Sequence, residues 1–129
     1  MNRLALIALG GAIGTALRYL TSLLAAQWLG DHFPYGTLFV NLFGAFAIGL
    51  VQEIGTRTLL IPDDARLFIT TGIMGGLTTY STFSYETVQL MEIGAWNRAW
   101  INVAVTTGAC LTLCFLGIAL GRLLLSPRG

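Results

Sequence analysis

The sequence predicts an all-α membrane protein with four spanning helices, and three observations point to it. Of 129 residues, 55% are hydrophobic and only 10% are charged. Mean hydropathy is +0.75, whereas a soluble domain carries about 25% charged residues. Charges and turn residues cluster into short segments that divide the chain into long apolar runs. Trp28, Trp96 and Trp100 fall at the ends of those runs, where interfacial aromatics belong. The length suits a single domain, residues 1–129.

The first helix is predicted over about residues 4–29, apolar apart from Arg18, Gln27 and a few small hydroxyls. Gly30-Asp31-His32-Phe33-Pro34 forms a polar turn. The second helix runs over about 35–53, uncharged from Tyr35 to Val51 and closed by Gln52-Glu53. Arg57, Pro62, Asp63 and Asp64 mark a loop. The third helix, about 66–92, is uncharged from Leu67 to Tyr85. A turn over Met91–Arg98 leads to the fourth, about 97–124, whose run Ala99–Gly121 holds no charge before Arg122. Each run approaches the ~20 apolar residues that a span requires. The MNR start suggests a signal peptide, but the run behind it exceeds the usual h-region of ~7–15 residues and contains Arg18, which argues against cleavage.

Composition excludes several functions. Net charge is +1 and there is no Lys, so no basic field exists to hold nucleic acid. Cys110 and Cys114 lie in an apolar run without polar company, and small polarizable packing residues fit them better than metal ligands. His32, the lone histidine, sits in a turn with no triad or metal partner in sequence reach. An enzyme is not expected.

Four spans place both termini on one side, with Arg3, Arg57, Arg66, Arg122 and Arg128. The other side has only Arg98. The positive-inside rule then puts the termini in the cytoplasm. Gly10/Gly14, Gly44-Ala45/Gly49 and Gly117/Gly121 have the spacing of close helix packing, within the chain before any dimer is implied. Four helices hardly enclose a polar path, so a transport function needs partners.

Polar groups at bilayer depth are costly unless they face a partner, a cavity or water. Arg18 either snorkels, anchors the fold or faces an aqueous vestibule. Asn41 is open to a pore role or an interhelical hydrogen bond, with Thr37 on the same helical face. Asn102, Thr106, Cys110 and Cys114 form one stripe, of which Asn102 and Thr106 suit a pore-facing track.

The most unusual stretch is GGLTTYSTFS, Gly75–Ser84. Paired Gly and paired Thr are poor in helix interiors, so a break is expected near Gly75–Thr79. Unwound carbonyls at such a break commonly coordinate a cation, and the half-helix restarting after it favours an anion. Tyr80 and Phe83 are three apart on one face, and ring edges are electropositive. Ser81 and Ser84 add hydroxyls.

GGAIGTALRY (10–19), PYGTLFVNLFGAFAIG (34–49) and GIMGGLTTYSTFSYE (72–86) resemble the three signatures of the fluoride-specific channel family, CrcB or Fluc, over nearly the whole chain. The resemblance implies a dual-topology antiparallel homodimer in the bacterial inner membrane, with two fluoride pores giving passive efflux. It also implies a structural sodium ion at the dimer centre, held by backbone carbonyls of Gly75 and Thr78. Asn41 would contact the ion path, lined by the rings of Tyr80 and Phe83. Thr37, Ser81, Ser84 and Thr106 complete the candidate path. Arg18 and Glu86 match the Arg of the first signature and the acid closing the third, as vestibule or fold anchors. Two features depart from the pattern. Tyr80 stands where most members carry Phe, and the Arg asymmetry exceeds what dual topology suggests.

A small multidrug-type, proton-coupled exporter is the alternative. It needs a carboxylate deep in a helix; the first span instead holds Arg18, and Glu86 alone lies near a third-span end.

Overall fold

A computed structural model of the chain describes residues 2–126. Arg128, counted above toward the positive side, lies outside the described residues. All regular structure among those residues is helical, arranged as four rods. Three are continuous: α1 (Arg3–Leu29), α2 (Tyr35–Arg57) and α6 (Trp96–Leu125), each long and apolar enough to cross a membrane. The third rod is composite. It comprises α3 (Asp63–Leu67), a π-helical segment (Phe68–Met74), α4 (Gly75–Leu77), an extended pair Thr78-Thr79, and α5 (Tyr80–Glu92).

Local chemistry sets the ends. The Asn2 side chain accepts from the Leu4 amide at 2.8 Å and starts α1. Gly30, at φ 84°, ends it while donating to the Ala26 carbonyl. The third rod begins at Asp63, earlier than expected, because Pro62 pre-sets the entry and Asp63-Asp64 meet the positive end of the helix dipole. Helix α2 runs on to Arg57, past Gln52-Glu53, because Glu53 pairs with Arg57 one turn later. At the other end, Ala95 donates to the Leu90 carbonyl at 2.8 Å and Gly94, φ 84°, to Met91 at 3.0 Å, turning α5 tightly into α6.

Backbone-to-backbone contact packs the rods. A Cβ on Gly117 would lie 3.0 Å from the Leu50 amide, and one on Gly121 would lie 3.0 Å from Glu53 Cβ, so α6 rests directly on α2. A Cβ on Gly10 would lie 2.7 Å from the Phe68 carbonyl, and one on Gly14 would lie 2.8 Å from the Leu77 amide. The small-residue spacings thus serve packing within the chain. Gly75 and Gly76, expected to help break the third rod, are helical. Gly76 instead admits α1, for a Cβ there would stand 2.5 Å from the Gly11 carbonyl. The break falls one turn later, at the two threonines.

Large apolar side chains such as Leu24, Phe43, Leu111, Phe115 and Leu123 stand on the outside, which marks a surface made for lipid or for another chain. Ionised pairs gather at one end of the bundle: Arg122 donates to Glu53 at 3.0 Å beside Arg57, Arg3 meets Asp64 at 3.3 Å, and Arg66 meets Asp63 at 3.6 Å.

Replacing Gly117 with Val should destabilise the fold by about 1–3 kcal/mol through overpacking. Gly108→Ala, where an added Cβ meets nothing within 4 Å, should not. Unfolding midpoints in detergent decide this, and equal shifts for both variants would remove the close-contact account of α2–α6.

Candidate functional site

The site is built around Thr78 and Thr79. Both are extended, with φ/ψ of −85°/154° and −154°/118°, a geometry that β-branched residues favour. Thr78 closes the first half-helix, its amide and hydroxyl both donating to the Met74 carbonyl, at 3.0 and 2.8 Å. Thr79 opens the second, its Oγ1 accepting from the Thr82 amide at 3.1 Å.

Asn41 of α2 holds the break open. Its Oδ1 accepts from the Thr79 amide at 2.9 Å, and its Nδ2 donates to the Thr79 carbonyl at 3.2 Å. The interhelical hydrogen bond that sequence left open is therefore present, made to backbone on both sides. One N–H of the amide remains for another acceptor. Arg18 reaches the same break from α1: its Nε donates to the Gly76 carbonyl at 3.1 Å, putting a cation on the negative end of the first half-helix. Such a contact is of the kind a fold anchor makes.

These side chains free particular carbonyls. In a continuous helix the Thr79 amide would bond Gly75, and the Thr82 amide would bond Thr78. The first is donated to Asn41 and the second to Thr79 Oγ1. The carbonyls of Gly75 to Thr78 all lose their helical donors across the break, and of these Gly76 takes Arg18 Nε in exchange.

A groove of about 440 Å³ lies against the break. Its walls bring together Asn41 and Gly44 of α2, Thr70, Met74, Gly75 and Thr78 of the third rod, Tyr80 and Phe83 of α5, and Thr106, Thr107 and Cys110 of α6. None of its lining side chains is ionised. The rings of Tyr80 and Phe83 meet tilted, centroids 5.5 Å apart at 57°. They are placed differently, however: Phe83 is 7% exposed, while Tyr80 is 80% exposed and stands at the lip.

Behind Phe83 runs a buried hydrogen-bond chain. Thr106 donates to Asn102 Oδ1 at 3.2 Å, Asn102 Nδ2 donates to the Thr87 hydroxyl at 2.9 Å, and Thr87 donates to the Phe83 carbonyl at 2.7 Å. Asn102, 1% exposed, is thus committed to tying α6 to α5, while Thr106 and Cys110 of the same stripe face the groove. Thr87 carried no sequence signal beyond standing one turn after Phe83.

Other candidates lie elsewhere. Thr37 is buried and lines a separate small cavity with Ser22 and Glu86. Glu86 Oε1 is buried without a hydrogen-bond partner among the described residues. Ser81 contacts Thr79 Oγ1 at 3.3 Å, and Ser84 donates back to the Tyr80 carbonyl at 2.9 Å. No carboxylate reaches the groove, which leaves the proton-coupled exporter without its central group.

Asn41→Ala would leave the Thr79 amide without its partner, so unfolding in detergent should require about 1–3 kcal/mol less. An unchanged midpoint would show that the break persists without the clamp.

Residues 5–118 match the family described as CrcB-like protein, Camphor Resistance (CrcB). A protein of Geobacter sp. (strain M21) named fluoride-specific ion channel FluC is 52% identical over 96% of this chain and 100% of its own. Proteins of the same name from Citrifermentans bemidjiense and Clostridium perfringens (strain 13 / Type A) are 51% and 44% identical, over 96% and 92% of this chain and 100% and 93% of theirs. With the match over nearly the whole chain and a clamped helix break in its third signature, the chain belongs to the CrcB family.

Proposed function

We propose that this chain is a fluoride-selective channel giving passive fluoride efflux. The observation that carries this is the groove at the helix break, lined by uncharged donors and a buried ring. Fluoride is small and strongly hydrated, so a path must replace its water with close donors. A fixed cation would hold it too tightly, because conduction requires binding weak enough to leave. The spare Asn41 N–H, the Phe83 ring edge and the start of α5 supply attraction of moderate strength. The hydroxyls of Ser81 and of Tyr80 at the lip extend it outward. Asn102 and Thr87 act from behind, fixing the Phe83 backbone so that the ring keeps its place.

In this reading all four rods span the bilayer of a bacterial inner membrane, the third with its break at mid-depth. The groove is open on one face of a single chain, and a second, antiparallel copy would complete it as two pores. Gly75 and Thr78 fit a hard cation such as sodium, since their carbonyls have lost their helical donors. Two oxygens do not complete such a shell, so the second copy would supply the matching pair. The ion's role is to hold the two breaks together.

Sealed vesicles carrying the protein should release fluoride much faster than empty vesicles and faster than they release chloride. Phe83→Ile should slow release about tenfold or more, if the ring edge is worth one moderate hydrogen bond. Equal fluoride and chloride release would defeat the selectivity claim, and an unaffected Phe83→Ile variant would return the ring to packing.

For the dimer, sodium but not potassium should raise the thermal midpoint. In protein lacking Cys110 and Cys114, a cysteine placed at exposed Asn97 should be labelled from both sides of the membrane. Labelling from one side only would sink the antiparallel homodimer.

A further inference from the structure

A second cavity, of about 420 Å³, opens at the terminus side of the bundle between Arg3, Gln52, Thr56, Asp63 and Arg66. Its lining continues along the third rod to Thr70 and Thr71. Thr70 also lines the groove at the break, and it alone is common to both linings. The two cavities therefore share one lining residue.

The local structure suits a passage. Thr70 lies in the π-helical segment, where the widened turn carries an extra residue and backbone bonding departs from the ordinary helix. The Gly75 amide is shared between the Thr70 and Gly72 carbonyls, so the bonding pattern is mixed where the segment ends. The Thr70 side chain is buried, and its hydroxyl donates to the Arg66 carbonyl at 2.8 Å. Such a back-bond is common for threonine in membrane helices and by itself marks only packing. Its position between two cavities is what packing does not require. A hydroxyl resting on a carbonyl that already sits in a helical turn is free to swing to a better acceptor at little cost.

The charge pattern gives the passage a direction. The groove has no ionised lining residue, whereas the outer cavity holds Arg3 and Arg66, paired with Asp64 and Asp63. Arg66 lies 3.6 Å from Asp63, so its field is damped without being cancelled. Such a mouth offers an anion guanidinium donors without a trapping net charge.

We propose that Thr70 is the neck between the groove and a terminus-side mouth lined by Arg3 and Arg66, and that its hydroxyl turns from the Arg66 carbonyl to the passing fluoride. This rests on the channel function proposed above. The ion keeps one donor as it leaves the Asn41–Phe83 region and enters the field of Arg66, with no covalent change at any point.

The experiment is fluoride efflux from vesicles containing the parent protein, Thr70→Val, Thr70→Ser, Thr70→Leu and Arg66→Gln, each first shown to elute as the parent does in detergent. Thr70→Val keeps the shape and removes the donor, so it should slow efflux about tenfold, the equivalent of one hydrogen bond. Thr70→Ser should restore the parent rate, which a purely packing role would not predict. Thr70→Leu, which fills the neck, should approach the empty-vesicle rate. Arg66→Gln should slow efflux at low ionic strength and lose that effect as salt screens the mouth. Should Thr70→Leu fail to fold, Thr70→Val and Thr70→Ser still decide the matter. Parent-like rates for Thr70→Val, or a Thr70→Ser variant as slow as Thr70→Val, would overturn the neck while the channel stands. A parent protein that releases no fluoride would remove the channel function, and the neck with it.

Discussion

The paired hydrogen bond between the Asn41 amide and the Thr79 backbone is the constraint on which the site depends. An interrupted helix in an apolar layer strands amides and carbonyls, each costing roughly 2–7 kcal/mol if left bare. One primary amide satisfies one of each kind at the same residue, which a cation, having no acceptor, does not. The rest of the α2 face is shaped around the same contact. Gly44, one turn on, has no Cβ where the Thr78 methyl lies, so the break seats directly on α2. Arg18 reaches in from α1 to the Gly76 carbonyl. The break is therefore held from both sides, and it is as much part of the packed fold as the continuous helices are.

Apart from Arg18, charge is kept away from that break. Four arginines with three acids tie the bundle at the terminus end, and Arg98 donates to the His32 carbonyl at the other. Between them only Arg18 enters the middle, and its Nε is aimed at a backbone carbonyl. The groove's own lining thus offers dipoles and amide donors, with the Arg18 cation held on the Gly76 carbonyl at the break. Dipoles of this size attract a dehydrated anion without binding it so firmly that it stays. The pairing also tempers the arginine asymmetry read from sequence, since Arg3, Arg57, Arg66 and Arg122 each have an acid partner. Acids contribute little to orientation during insertion, however, so the bias remains a real force on topology.

Much of this was legible in the sequence because bilayer physics is severe. Apolar runs, polar turns and terminal tryptophans marked four helical rods, and the Thr-rich stretch marked the break. Long-range geometry was less legible. Glycines look like helix breakers by propensity, yet Gly75 and Gly76 are helical and Gly76 makes room for α1; propensity is measured where no neighbouring helix gains from a missing Cβ. Asn102 read as pore-facing from its stripe, but a stripe gives a face and not the depth of the wall behind it. Thr87 went unread because it matters only through Asn102, fifteen positions away. Thr37 shares a helical face with Asn41, yet it opens into another cavity with Glu86. One turn of helix was enough to pass from one side of a packed wall to the other.

Tyr80 shows where the constraints of a single chain end. Its partner ring, Phe83, is buried and held from behind by Thr87 and Asn102, so a change there disturbs packing as well as any ion path. Tyr80 is 80% exposed, and its hydroxyl makes no hydrogen bond among the described residues. A phenol and a phenyl are equally compatible with this fold at that position. Whatever distinguishes them acts outside the single chain; in the dimer proposed above that would be the surface of the second copy. An apolar lid would strand the phenol O–H, whereas a polar one, or water at the pore mouth, would accept it. In the channel reading proposed above, the Tyr80 hydroxyl at the lip of the groove would offer one more donor at the entrance without narrowing the space beside Phe83.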